Sequence, residues 1–128
     1  MRIGLTEIFV DDQDRARAFY TEVLGLQVKT DAPYSDTARW LTLVSPEDAE
    51  GTELLLSPTN DAAAALQAHR RAAGTPAMSF RTDDCRRTYE ELRAKGAVFL
   101  SEPAQMDYGG TDAVLDDGCG NLLNLHQQ

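Results

Sequence analysis

The chain has 128 residues, a length typical of one domain. Hydrophobic residues make up 42% of it and charged residues 26%, which is the composition of a folded globule and excludes a mainly disordered chain. Acidic residues outnumber basic ones by 21 to 12, giving a formal net charge of −9. That charge disfavours nucleic acids and membrane surfaces as partners, because both are themselves negative.

The cysteines and the first residues bear on the expected location. Cys85 and Cys119 have no CxxC spacing, so we expect buried thiols rather than a disulfide framework. Residues 1–10 lack the pattern of a signal peptide, and no apolar run reaches the roughly 20 residues that cross a bilayer. The sequence therefore predicts a cytoplasmic protein.

The first half of the chain predicts a strand, a helix and three further strands. Residues 5–10 alternate like a strand and end at Asp11-Asp12, either of which can cap the helix that follows. Ala16, Tyr20 and their neighbours form an apolar helical face, which Gly25 can close. The three further strands are predicted at residues 26–30, 39–44 and 52–57, with turns at 32–36 and 45–48.

The second half repeats this order after an alanine-rich helix predicted at residues 61–73. A strand at 77–82 leads to Asp83-Asp84, which can cap a helix ended by Gly96. The remaining strands are predicted at 97–100, 111–115 and 121–126, with a glycine-containing loop at 106–110.

The two halves form an internal repeat. Asp12 and Asp84 stand 72 positions apart, and Gly25 and Gly96 stand 71 apart. Neither half can cover its own apolar sheet face, which is the usual reason for such repeats. We therefore predict one domain over residues 1–128, with a first module at 1–60, a connecting helix at 61–75 and a second module at 76–128.

The sequence resembles the vicinal oxygen chelate superfamily of glyoxalases, bleomycin-resistance proteins and extradiol dioxygenases. The resemblance rests on four segments, at residues 8–12, 18–25, 51–56 and 116–121. It implies an α+β fold of two βαβββ modules, whose curled mixed sheets form a cup with the helices outside. It also implies a homodimer, since dimers are frequent in the superfamily and open sheet edges invite pairing.

Strand alternation predicts which side chains line that cup. Residues two apart on a strand share a face, and one face of each strand must lie under the helices. The inward, ligand-binding candidates are Leu5, Glu7, Phe9, Trp40, Glu53, Leu55, Ser57, Ala77, Ser79, Arg81, Leu122, Asn124 and His126.

The same resemblance argues against the metal chemistry of the superfamily. Metal-dependent members carry four ligands, one from each of four strands, and the matching positions here are Leu5, Ser57, Ala77 and Asn124. Leucine and alanine offer no ligand atom, and serine or an asparagine carbonyl binds transition metals weakly. We expect no metal and no cofactor, which disfavours glyoxalase I-type isomerisation and extradiol ring cleavage.

Three functions of different classes remain open, and the third of them is a subunit whose cup is filled by side chains and whose role is assembly. The first is a non-metal protein that binds a small molecule, such as a metabolite or an antibiotic, in the cup. The second is a lyase, isomerase or dioxygenase-type enzyme with an atypical site, in which Glu7, Glu53 and His126 hold a metal or Glu7 or His126 carries a proton. No catalytic residue is assigned. Glu7 is expected to pair with Arg81, since an unpaired buried carboxylate is costly.

Overall fold

A computed structural model describes all residues, 1–128, and divides them into two compact units, residues 1–63 and 64–128. Each unit carries a mixed sheet of its own, and the α+β class of the prediction is confirmed. No helix is long and apolar enough to span a membrane.

The first unit has the order strand, helix and three strands. Its elements are β1 (Leu5–Val10), α1 (Gln13–Ala18), β2 (Gln27–Pro33), β3 (Arg39–Val44) and β4 (Glu53–Pro58). The sheet order is β1-β4-β3-β2, with β1 parallel to β4 and the other pairs antiparallel. The Asp12 side chain caps α1 by accepting a hydrogen bond from the amide of Arg15. Gly25 has the left-handed φ of +81° that closes the helical segment.

The second unit repeats this topology. The helix α2 (Asp61–Ala73) joins the two units, and β5 (Met78–Arg81), α3 (Cys85–Ala94), β6 (Val98–Phe99), β7 (Ala104–Gln105), β8 (Thr111–Asp116) and β9 (Leu122–Gln127) follow. The main sheet order is β5-β9-β8-β6, with β7 pairing β8. Its parallel pair, β5 and β9, corresponds to β1 and β4.

In each unit one sheet face is buried under a helix. In the first unit Ile8, Val10 and Leu56 are buried with Ala16 and Tyr20 of the helical segment. In the second unit Cys85 is fully buried and forms a cluster with Ala113 and Leu125. Burial, together with the charge of Asp112, raises the pKa of the Cys85 thiol, as expected of a thiol packed in the core. The opposite sheet face carries the predicted ligand-binding side chains.

Several element boundaries differ from the sequence-based prediction. The apolar helical face at residues 16–23 is only partly α-helical, because α1 passes into a π-helical turn at Phe19–Val23. The strand β2 continues to Pro33, through part of the predicted turn, because Ala32 and Pro33 pair with Trp40 and Arg39 of β3. The strand predicted at 97–100 is reduced to β6, and β7 was not predicted.

Candidate functional site

The first unit contains an open cleft of about 320 Å³ on the sheet face away from α1. Glu7 and Phe9 of β1 line it beside Leu55 and Ser57 of β4. These side chains meet because β1 and β4 run parallel in register, with Glu7 opposite Leu55 and Phe9 opposite Ser57. Strand alternation then turns all four to the same face. The remaining residues that line the cleft are Tyr34, Ala38, Arg39, Trp40 and Pro58.

Aromatic surface is unusually exposed at this cleft. Trp40 is 41% exposed and Tyr34 is 71% exposed, although large aromatic side chains usually bury much of their surface in a core. Tyr34 precedes the turn that returns the chain to β3. The amide of Tyr34 donates a hydrogen bond to the carbonyl of Ala38 in this turn. The turn therefore brings Tyr34 beside Trp40, where both rings offer flat surface for stacking.

The acidic group of the cleft is Glu7. Its Oε2 accepts a hydrogen bond of 2.6 Å from the Ser57 hydroxyl. The predicted pairing of Glu7 with Arg81 joins residues of the two different units and stays a prediction. Within the first unit, Ser57 orients the carboxylate without neutralising it.

The cation of the cleft, Arg39, is already engaged. Its Nε lies 2.9 Å from Asp31 and its Nη1 lies 2.6 Å from Asp14. Gln13 fixes the backbone of the same residue, accepting from the amide of Arg39 and donating to its carbonyl. Two aspartates thus balance the guanidinium, and the free charge of the cleft is that of Glu7.

Two predicted residues of this sheet lie outside the cleft lining. Leu5 and Glu53 are opposite each other on β1 and β4 and share the face of Glu7. They stand at the other end of the strands, where Leu5 is 45% exposed. The sequence analysis did not predict that Arg39 and Tyr34 line the cleft. Arg39 lies at the end of an expected strand, and Tyr34 lies in an expected turn.

The second unit carries a polar sheet face. Ser79 lies opposite Asn124 and Arg81 opposite His126 on the parallel pair β5 and β9. The Asn124 amide donates to the Ser79 hydroxyl at 3.3 Å. Ala77 and Leu122 lie at the other end of the same two strands, joined by a hydrogen bond from the amide of Ala77 to the carbonyl of Leu122.

A buried carboxylate on the neighbouring strand organises this face. Asp112 of β8 is 7% exposed, and its Oδ1 lies 2.6 Å from His126 Nδ1. The Tyr108 hydroxyl donates to Oδ2 of the same carboxylate. Burial alone would raise the pKa of Asp112, but hydrogen bonds from Tyr108, His126 and Asn124 outweigh it and hold that pKa below 3.8. The same bond to Asp112 raises the pKa of Tyr108.

The depressed pKa of Asp112 predicts a pH-dependent contribution to stability. A carboxyl that binds protons less readily when folded stabilises the protein above its unfolded pKa, and this stabilisation is lost as pH falls through the folded value. We expect Asp112→Asn to lower the free energy of unfolding most near neutral pH. The difference from the wild type should shrink below the ordinary carboxyl pKa of 3.8. Urea unfolding across this range measures it, and a difference independent of pH would contradict the assignment.

The residues do not fit the metal site of the fold family. The positions that the resemblance matches to the metal ligands are Leu5 and Ser57 in the first unit and Ala77 and Asn124 in the second, and leucine and alanine have no ligand atom. No group of three or more histidine, cysteine, aspartate or glutamate side chains is placed to hold a metal ion. Asp116 and Asp117 accept hydrogen bonds from the backbone of the turn between β8 and β9, and Asp116 also forms an ion pair with Arg71.

Comparison with known proteins identifies the class to which this fold and site belong. The model of the Glyoxalase/Bleomycin resistance protein/Dioxygenase superfamily matches residues 2–125, and the chain belongs to that superfamily. Over its full length the chain is 46% identical to the full length of YurT of Bacillus subtilis (strain 168), a protein called uncharacterised.

Solved structures show the same fold. The structure of UcmS2 has a TM-score of 0.83 and 31% identity, and the match covers 100% of this chain and 98% of that one. TnmS3 from Streptomyces sp. CB03234, an antibiotic binding protein, has a TM-score of 0.78 and 24% identity. That match covers 99% of this chain and 95% of TnmS3.

Proposed function

We propose that the protein binds a small organic molecule, a metabolite or an antibiotic, in the cleft of the first unit. The observation that carries this proposal is the exposed aromatic surface of Trp40 and Tyr34 around the carboxylate of Glu7. Ligand sites combine apolar walls with a few polar groups that fix orientation, and this cleft has both. The antibiotic-binding neighbour TnmS3 supports the proposal through its fold alone.

The ligand class follows from the walls and the charge. Trp40, Tyr34 and Phe9 favour a flat aromatic molecule, since ring stacking adds to the burial of apolar surface. Glu7 favours a positive charge or a hydrogen-bond donor on that molecule, because Arg39 is balanced by Asp31 and Asp14. We therefore propose a neutral or cationic aromatic ligand.

Trp40 is the only tryptophan of the chain and serves as the reporter. We expect planar aromatic cations, for example berberine, to quench its fluorescence and raise the melting temperature. The planar anion anthraquinone-2-sulfonate should bind more weakly. The same assay applied to a panel of antibiotics and metabolites then identifies the ligand. Absence of quenching and thermal shift across the whole panel would contradict the proposal.

Glu7→Gln tests the role of charge. Hydrogen bonds to a charged group contribute about 1.5–3 kcal/mol, so the affinity for a cationic ligand should fall about tenfold or more. Glu53→Gln is the matched control, because Glu53 stands on the same sheet face but outside the cleft lining. Equal losses in the two variants would show that only the overall charge matters.

We also propose a cytoplasmic homodimer. The edge strands β1 and β5 each leave one side without a partner strand, and Ile3 and Leu5 near the first edge are 76% and 45% exposed. A second copy would cover such an edge. Light scattering at micromolar concentration should give twice the 14.1 kDa mass of the chain. A stable species of the monomer mass would contradict it. The free cysteines suit a reducing compartment.

A further inference from the structure

The polar face of the second unit holds a histidine whose ring is fixed in position through one nitrogen, while the other nitrogen has no close hydrogen-bond partner. His126 lies between Arg81 of β5 and Asp112 of β8, which are its register partners on the two sides. Its Nδ1 lies 2.6 Å from the Asp112 carboxylate. Because an ionised carboxylate only accepts hydrogen bonds, Nδ1 carries a proton, and in the neutral form of the ring Nε2 carries the lone pair.

Asp112 is itself held by more than the histidine. The Tyr108 hydroxyl and the Asn124 side chain also donate to its carboxylate, from a loop and from β9. A carboxylate with three donors cannot rotate away from the ring, so the orientation of the imidazole is fixed. The carboxylate also balances the positive charge that the ring gains when Nε2 takes up a proton.

The other nitrogen is available to a ligand. The one polar contact of Nε2 is with Gln128 Oε1 at 3.5 Å, which is too long for a good hydrogen bond. The His126 side chain keeps 19% of its surface exposed. Arg81 stands next to it on the same face, exposed and without an ion pair.

We propose that this face binds a ligand with an acidic hydroxyl group, a phenol or an enol, as its oxyanion. The ligand O–H bond breaks, the proton passes to Nε2 of His126, and the electron pair stays on the ligand oxygen. The products are an imidazolium balanced by Asp112 and an oxyanion beside the Arg81 guanidinium, so charge and atoms are conserved. A positive charge on the neighbouring strand, such as that of Arg81, favours the oxyanion over the neutral hydroxyl group.

The charged and titratable groups around His126 agree with this direction of proton transfer. Asp112 is negative on the Nδ1 side, Arg81 is positive on the other strand, and Tyr108 is a neutral donor from the loop at residues 106–110. Ser79 and Asn124, the next pair along β5 and β9, are neutral. The next two residues along the chain, 127 and 128, are glutamines with uncharged side chains.

The probe is 4-nitrophenol, whose phenolate absorbs visible light. Its ionisation is titrated in the presence of saturating wild-type protein and followed by absorbance. We expect the midpoint to move to lower pH by about one unit, which corresponds to about tenfold tighter binding of the phenolate than of the phenol. Binding of 4-nitroanisole, which has no hydroxyl proton, should release no coloured anion.

Variants test whether the shift of the midpoint depends on the residues of this site. His126→Asn should abolish the shift of the midpoint, whereas His69→Asn, at the exposed histidine of α2, should retain it. Arg81→Gln changes an exposed side chain and should weaken phenolate binding about threefold, the effect of one exposed charge. A shift that survives His126→Asn, or no binding of 4-nitrophenol by the wild type, would overturn the inference. Binding in the first-unit cleft is followed separately, by the fluorescence of Trp40.

Discussion

Asp117→Ala is expected to lower the free energy of unfolding by about 3–5 kcal/mol, because it leaves several buried donors without an acceptor. Asp117 is 2% exposed. Its Oδ1 accepts hydrogen bonds from the amides of Cys119 at 2.7 Å and Asn121 at 3.0 Å. Its Oδ2 accepts a third from the Asn121 side chain at 2.8 Å. Each lost partner of a buried donor costs about 1–3 kcal/mol.

The loss extends beyond the turn between β8 and β9. Asn121 also accepts a hydrogen bond of 3.1 Å from Gln67 of α2. Gly118 and Gly120 hold φ values of +72° and +109°, which glycine adopts without strain, and the side-chain bonds of Asp117 select this path among the many open to glycine. Without Asp117, Asn121 loses its orientation and the bond to α2 weakens with it.

Asp36→Ala is the matched control, since it removes an exposed carboxylate from a turn of the first unit. Exposed substitutions of this kind change stability by about 0.5 kcal/mol or less. Urea unfolding at neutral pH compares the two variants. A loss in Asp117→Ala no larger than that of the control would show that water replaces the aspartate at no cost.

The features that sequence predicted best are local ones. The caps at Asp12 and Asp84 and the glycines that end the helical segments depend on a few neighbouring residues, so their chemistry is visible in the sequence. The repeat followed from the same signals. It led to the superfamily, which the match over residues 2–125 confirms.

Features that depend on distant partners were not predictable in the same way. The strand β2 continues to Pro33 because β3 offers paired residues there, and β7 exists only through its pairing with β8. The π-helical turn at Phe19–Val23 keeps Tyr20 fully buried while breaking the α-helical spacing. A single-sequence pattern contains none of these pairings.

The same distinction between local features and features that depend on distant partners applies to the candidate sites. Alternation placed Glu7, Phe9 and Leu55 on one face, where they now line the cleft. The balancing of Arg39 by Asp31 and Asp14 joins three separate elements and left no pattern in the sequence. Likewise the sequence assigned no role to Asp112, because its contact with His126 depends on the register of β8 and β9.

Gly110→Ala is the second substitution expected to have a large effect, a loss of about 2–5 kcal/mol in the free energy of unfolding. Gly110 has a φ of +79°, where an L-residue costs about 1–2 kcal/mol. An added Cβ would also lie 2.4 Å from the Gln127 carbonyl oxygen and 2.7 Å from His126 Cε1. Forcing a methyl group into packed surroundings costs about 1–3 kcal/mol more.

Gly109→Ala separates the two causes. Gly109 has a φ of +100°, but a Cβ there would meet nothing within 4 Å, so only the backbone cost applies. The difference between the two variants in urea unfolding measures the contact with Gln127 and His126. Because the contact includes the imidazole, Gly110→Ala should also change the NMR signals of the His126 ring and reduce the response to 4-nitrophenol, whereas Gly109→Ala should leave both unchanged. Equal destabilisation of the two variants would mean that the loop moves aside freely, and the close approach of Gly110 would then play no part in positioning His126.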